Sequence, residues 1–305
     1  MISTLQHTHY YRSSDVRARI IEFLGGKARK QICCYVRARS RRIVLFSFTA
    51  LTIPISSVVA QSPPESVAQL PSESTAIRGI VVPVPREIFD TLDKFADSNW
   101  RAVQRRELTR QRMPRAQAET ALLLGVVIAE GFIAVEAKDT DEVKNVGRDV
   151  LKLSRGLGIE KAALRRSRSI VEYAEKGDWT GVRKEWDGVL PDVQEGMNEL
   201  QSEQLAQLVS LGGWLRGAES LTVLVLQNYS DQKANLLWQP ALLDYFDKRL
   251  EKMTGDVREN PAVVKMRDGM RRVRPLIASE KTHISQMTVK EMAAIFRECL
   301  GSLND

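Results

Sequence analysis

The sequence predicts an all-α protein, a multi-helix bundle of about seven to nine helices preceded by a signal peptide and a Pro/Ser-rich linker. Three observations carry this reading. Apolar residues recur at steps of three and four through most of residues 86–305, the spacing that aligns side chains on one helix face. No run shows sustained period-two alternation between turn signals. An Arg-rich stretch stands directly before a short apolar run near the N-terminus.

That run, residues 43–54, has the form of a signal h-region. Arg37, Arg39, Arg41 and Arg42 precede it, and Val58-Val59-Ala60 supplies a small-residue exit. Cleavage is expected between Ala60 and Gln61, which makes the protein periplasmic or secreted. A leader of residues 1–60 exceeds the usual ~15–30 residues. Translation from Val36, a candidate GTG start, would leave 25 residues up to Ala60. Two other readings fit part of the segment. Residues 43–60, left uncut, would form an inner-membrane anchor, although Pro54, Ser56 and Ser57 interrupt it. An organelle transit peptide fits the Arg-rich, acid-poor residues 1–42 but not the solid apolar run. No Cys follows that run to take a lipid.

Removal of the leader changes the chemistry available. The chain has 45 Lys+Arg and 38 Asp+Glu. Residues 1–60 hold 10 and 2 of these, so residues 61–305 carry 35 and 36, a formal charge of −1. The basic character belongs to the leader, and nucleic-acid binding, which needs a basic domain, is not expected. Cys33, Cys34, His7 and His9 also fall in the leader. Cys299 and His283 remain, which excludes an internal disulfide and the usual His-containing metal sites. No cofactor motif is present: there is no P-loop and no G-x-S-x-G elbow.

Residues 61–85 read as a flexible linker, with "IRGIVVPVP" as a short extended segment. The helical domain covers residues 86–305. A stripe containing Ile88, Leu92, Phe95 and Val103 predicts a first helix along 86–112, broken by Pro114. Residues 115–137 form an unusually apolar second helix. Val143, Val146, Val150, Leu153 and Leu157 mark a third, ended by Gly156 and Gly158. A basic helix follows over 159–176, then Gly177-Asp178 as stop and N-cap for a short helix at 179–190. Residues 192–229 predict one long helix, or two with a weak point at Gly212-Gly213. Tyr229-Ser230-Asp231 reads as a turn. Pro240 starts the next helix, and Val263 to Ile277 and Val289 to Leu303 complete the series. Leu124-Gly125 and Leu211-Gly212 match at an interval of 87 residues, a faint sign of duplication.

The two most apolar helices each carry charge, Glu130 in one and Arg216 with Glu219 in the other. Small residues four apart, Gly125/Ala129 and Gly213/Gly217, invite close approach of the two helices. Glu130 is then placed to pair with Arg216 and fix their register. The sharper reading makes Glu130 and Glu219 a catalytic carboxylate pair in an open pocket, acting as acid and base. Glu219-Ser220 resembles the Glu-Ser start of lysozyme-like transglycosylases. The Gly and Gln elements that follow in those enzymes are absent, Leu221 to Leu226 being apolar helix, so that resemblance is not adopted.

Trp179 and Trp186, two turns apart, share a face and form a candidate binding pair if exposed. Arg216 is the remaining candidate binding residue. Basic clusters at Arg101–Arg115, Lys161–Arg168 and Arg271–Arg274 are either solvated faces balanced by nearby acids or contacts to an anionic surface. The long helix also offers Leu and Trp residues for a homo-oligomer. The expectation is an exported, non-enzymatic binding or scaffolding protein of the bacterial cell envelope. Its partner would be an envelope protein or an anionic surface. A carboxylate-dependent envelope enzyme is the alternative, and a membrane-anchored helical protein with an uncut leader is the third.

Overall fold

The computed structural model describes residues 76–77, 80–81, 85–109, 113–279 and 283–303. The predicted signal region, its cleavage point and most of the predicted linker lie outside them. The fold is the all-α multi-helix bundle read from the sequence. Among the described residues, the extended structure is a two-residue antiparallel pairing of β1 (Ala76–Ile77) with β2 (Ile80–Val81).

The body begins with α1 (Pro85–Leu92), two 3-10 turns (Asp93–Phe95 and Trp100–Ala102) and the single-turn α2 (Arg106–Thr109). Then come α3 (Gln117–Glu136), α4 (Thr140–Gly156), α5 (Glu160–Lys176), α6 (Trp179–Trp186), α7 (Val189–Glu199) and α8 (Glu203–Gln227). The chain continues through α9 (Asp231–Ala234), α10 (Pro240–Glu251), α11 (Gly255–Glu259), α12 (Pro261–Ser279) and α13 (Gln286–Gly301).

Helices α3 and α8 form the axis of the bundle. They are apolar around their circumference because neighbours cover them on all sides, as expected of core helices. By length and composition α3 is apolar enough to cross a bilayer, yet 89% of its most apolar window is buried inside the protein. Helix α4 packs on the flank of α3, α5 on α4, and α6 and α7 on α5, with α7 returning to α8. On the other side α13 packs against α8, and α12 lies against both α10 and α13.

The two axial helices run in the same direction: Leu122 meets Gly212, Gly125 meets Val209 and Gly213, and Glu130 meets Arg216. Backbone touches backbone at the crossing. A Cβ on Gly125 would lie 1.9 Å from the carbonyl oxygen of Val209, and one on Gly212 would lie 2.1 Å from that of Leu122. Gly212-Gly213 is therefore a packing surface inside a continuous α8 and not the predicted weak point. Gly217, the other small residue of the predicted pair, faces open space.

The predicted 192–229 helix is instead interrupted at Leu200–Ser202. Gln201 takes a left-handed conformation (φ 54°), and the Ser202 N–H donates to the Met197 carbonyl at 2.9 Å, a Schellman-type closure. Lys138 (φ 49°) ends α3 in the same way, with Asp139 N–H donating to Ala134. Other stop and cap cues hold. Gly158 and Gly177 close α4 and α5 with positive φ, and the Asp178 side chain caps α6 by accepting from Gly181 N–H. The predicted 179–190 helix divides into α6 and the start of α7, and Pro191 falls within the first turn of α7, where its missing N–H is not needed.

The predicted first helix over 86–112 is also interrupted. The Asn99 side chain accepts from Ala102 N–H, and Trp100 Nε1 donates to Phe95 O at 3.1 Å. Farther on, the Val103 carbonyl accepts from Arg216 of α8 and the Arg105 N–H donates to Glu130 of α3 instead of joining a helix of their own. A helix there would take those groups away from the core.

Candidate functional site

Glu130, Arg216 and Glu219 converge at the α3–α8 interface, each with 0% of its side chain exposed. One turn of α8 places Arg216 and Glu219 on the same face, and the parallel register brings Glu130 opposite them. Arg216 Nε and Nη2 lie 2.8 and 2.7 Å from Glu130 Oε2, and Nη1 lies 2.7 Å from Glu219 Oε2. The third edge of the guanidinium reaches the N-terminal segment, where Nη2 donates to the Val103 carbonyl at 2.6 Å.

The segment answers with two donors. Arg105 N–H donates to Glu130 Oε1 at 2.7 Å, and the Arg105 side chain pairs with Glu219 Oε1. Both oxygens of both carboxylates are thereby engaged by N–H donors. Two guanidinium groups and two carboxylates balance in charge, and Arg105, a quarter exposed, closes the network toward solvent. Burial pushes the Glu130 carboxyl above the usual carboxylate range, against the pull of Arg216 and of the Arg105 N–H. Burial draws the Arg105 guanidinium down, but the charge and hydrogen bond of Glu219 outweigh this and leave it raised.

Apolar contacts seat the same segment. Phe89, Leu92, Phe95, Trp100, Val103 and Leu108 are all buried. A second set of ion pairs fastens its outer edge to the α3–α4 turn, where Arg106 Nη2 lies 2.8 Å and Arg101 Nη1 3.7 Å from Asp139 Oδ2. Against partial burial, hydrogen bonds from the Glu142 N–H and the Gln104 amide and the charges of Arg101 and Arg106 hold the Asp139 carboxyl below its ordinary value.

The expected Glu130–Arg216 pairing is thus present. The two carboxylates meet through Arg216 rather than across an open pocket, and as a saturated, enclosed set they cannot reach a substrate proton without first releasing their partners. Trp186 and Trp179 do not form an exposed pair. Trp186 is 1% exposed, donates from Nε1 to the Ile128 carbonyl at 3.2 Å, and fills the space left by Gly131 of α3. Trp179 is partly buried against the same core. No group of three or more His, Cys, Asp or Glu able to hold a metal occurs among the described residues.

Arg105 and the Val103 carbonyl were not identifiable from the sequence. Arg105 sits in a basic run that reads as a solvated face, and its partner Glu219 lies 114 residues away. The other basic clusters are balanced at the surface. Arg165 pairs with Glu195, Arg166 with Asp192, Arg271 with Asp247, Arg272 with Glu298 and Arg274 with Asp244.

Comparison with known proteins returns no match: no family model fits the chain, and no curated protein or solved structure is similar to it.

Proposed function

We propose that this protein is an exported, non-enzymatic helical scaffold or binding protein of the bacterial cell envelope, acting through a partner protein. The observation that carries the non-enzymatic part is the saturation of Glu130 and Glu219. Each carboxylate oxygen accepts from an arginine or a main-chain N–H in a site closed to water, an arrangement suited to bracing helices rather than to proton transfer. A protein partner is favoured over an anionic surface because the basic clusters are matched by acids and residues 61–305 carry a formal charge of −1. Export rests on the Arg-rich leader, the apolar run at 43–54 and the Val58-Val59-Ala60 exit.

Expression of the full chain in a bacterium, followed by fractionation and N-terminal sequencing, tests the export reading. The expected product is a periplasmic chain beginning at Gln61. An intact chain in the inner membrane would favour the anchored form through residues 43–60. Recovery from the cytosol alone would overturn both.

A further inference from the structure

A second cluster of charge lies where the N-terminal segment crosses α6 and the end of α3. Arg183 of α6 stacks over the Phe89 ring at 4.4 Å, donates to Asp93 Oδ1 at 2.7 Å and stands 3.5 Å from Glu136 Oε1. Asp187 and Asp90 belong to the same neighbourhood, with Asp187 attracted by Arg183 and repelled by Asp90. Lys138 adds a positive charge near Glu136. The next guanidinium, Arg166 of α5, is committed to Asp192 and Glu185. Among the described residues, the four carboxylates Asp90, Asp93, Glu136 and Asp187 are thus set against Arg183 and Lys138, and Arg183 is already bonded to Asp93.

Two buried oxygens reveal the surplus. Glu136 Oε1 and Asp187 Oδ1 have no hydrogen-bond partner. Both residues also sit at helix C-termini, Glu136 as the last residue of α3 and Asp187 as the C-cap of α6, where a negative charge meets the negative end of the helix dipole. Protonation of Asp187 would remove a charge from an unfavourable place and relieve its repulsion with Asp90, which lies on the N-terminal segment beside Phe89.

We infer that the Arg183 cluster is a proton-operated clamp, in which uptake of one proton fastens the N-terminal segment onto α6 and the end of α3. Asp187 is the principal site. Burial, with the repulsion of Asp90 and against the pull of Arg183, raises its carboxyl to about 6. The folded state therefore binds a proton more readily than the unfolded chain, whose Asp titrates near its ordinary value. The contribution of Asp187 to stability therefore rises as pH falls through 6 and levels off once the unfolded chain is protonated too.

Thermal unfolding of the protein and of Asp187→Asn at pH 7.5 and 5.0 tests the clamp, together with a carbon-13 titration of the native Asp187 carboxyl. The native protein should gain roughly 2–4 °C in Tm at the lower pH relative to the variant, a figure that allows for the partial exposure of Asp187. The variant should be the more stable of the two at pH 7.5. Amide protection factors over residues 89–95, corrected for intrinsic exchange, should increase several-fold on acidification only in the native protein. A carboxyl midpoint below 5, or equal pH responses in native and variant proteins, would overturn the inference.

Discussion

Arg216 holds together groups from three parts of the chain, and its shape explains why. A guanidinium presents N–H donors along three edges in one plane, so it can face Glu130, Glu219 and the Val103 carbonyl at once. A lysine ammonium is a single point on a flexible stem and cannot reach all three. Arg216→Lys is accordingly expected to lose roughly 2–3 kcal/mol of stability, about the cost of leaving a buried acceptor unmet, as read by urea unfolding. A variant as stable as the native protein would show that water or side-chain movement meets those acceptors equally well. The sequence made half of this network legible. Glu130, Arg216 and Glu219 stood out because charge interrupts helices that are otherwise apolar. Arg105 did not, since a basic run reads the same whether it faces solvent or turns one side chain inward.

At the scale of elements, α3 and α8 meet backbone against backbone. Gly125 and Gly212 stand 87 residues apart, and so do their targets, Leu122 and Val209. Each glycine meets the carbonyl three residues before the other, so the crossing has local two-fold symmetry in the register that the faint sequence match suggested. Gly212→Ala would press a methyl carbon to 2.1 Å from Leu122 O, with main chain on both sides and no flexible tip to yield. The expected loss is about 3 kcal/mol, at the upper end for overpacking, measured by thermal or urea unfolding. A loss below about 0.5 kcal/mol, typical of surface changes, would mean that α3 and α8 do not approach so closely.

The same glycines misled the sequence reading because intrinsic propensity treats Gly-Gly as a helix breaker, whereas here the packed interface needs its missing side chains. The true interruption at Leu200–Ser202 carried no such signal. Its left-handed residue is Gln201, and Gly or Asn is the usual mark of that conformation. The N-terminal stripe failed for a different reason. Its apolar spacing was real, and Leu92, Phe95 and Val103 are buried, but the Arg105 N–H and the Val103 carbonyl bond across the fold to Glu130 and Arg216.

For the whole molecule, these contacts tie the N-terminal segment to the axis at two levels. Inside, Glu130, Arg216, Glu219 and Arg105 form one closed set of charges. Outside, Arg101 and Arg106 grip Asp139, and Arg183 grips Asp93. The exposed pairs are worth little individually. The enclosed set matters more because disrupting it strands charge away from water. The segment and the α3–α8 axis should therefore unfold as one unit, with the clamp at Arg183 adjusting how firmly they meet as pH changes.

Urea unfolding of Arg216→Met tests this claim most directly, because methionine keeps much of the side-chain volume and removes every donor. The bracing account predicts a loss of roughly 3–5 kcal/mol in a single transition that takes the N-terminal segment and the helical axis together. A loss under about 1 kcal/mol, or separate transitions for the segment and the axis, would contradict it.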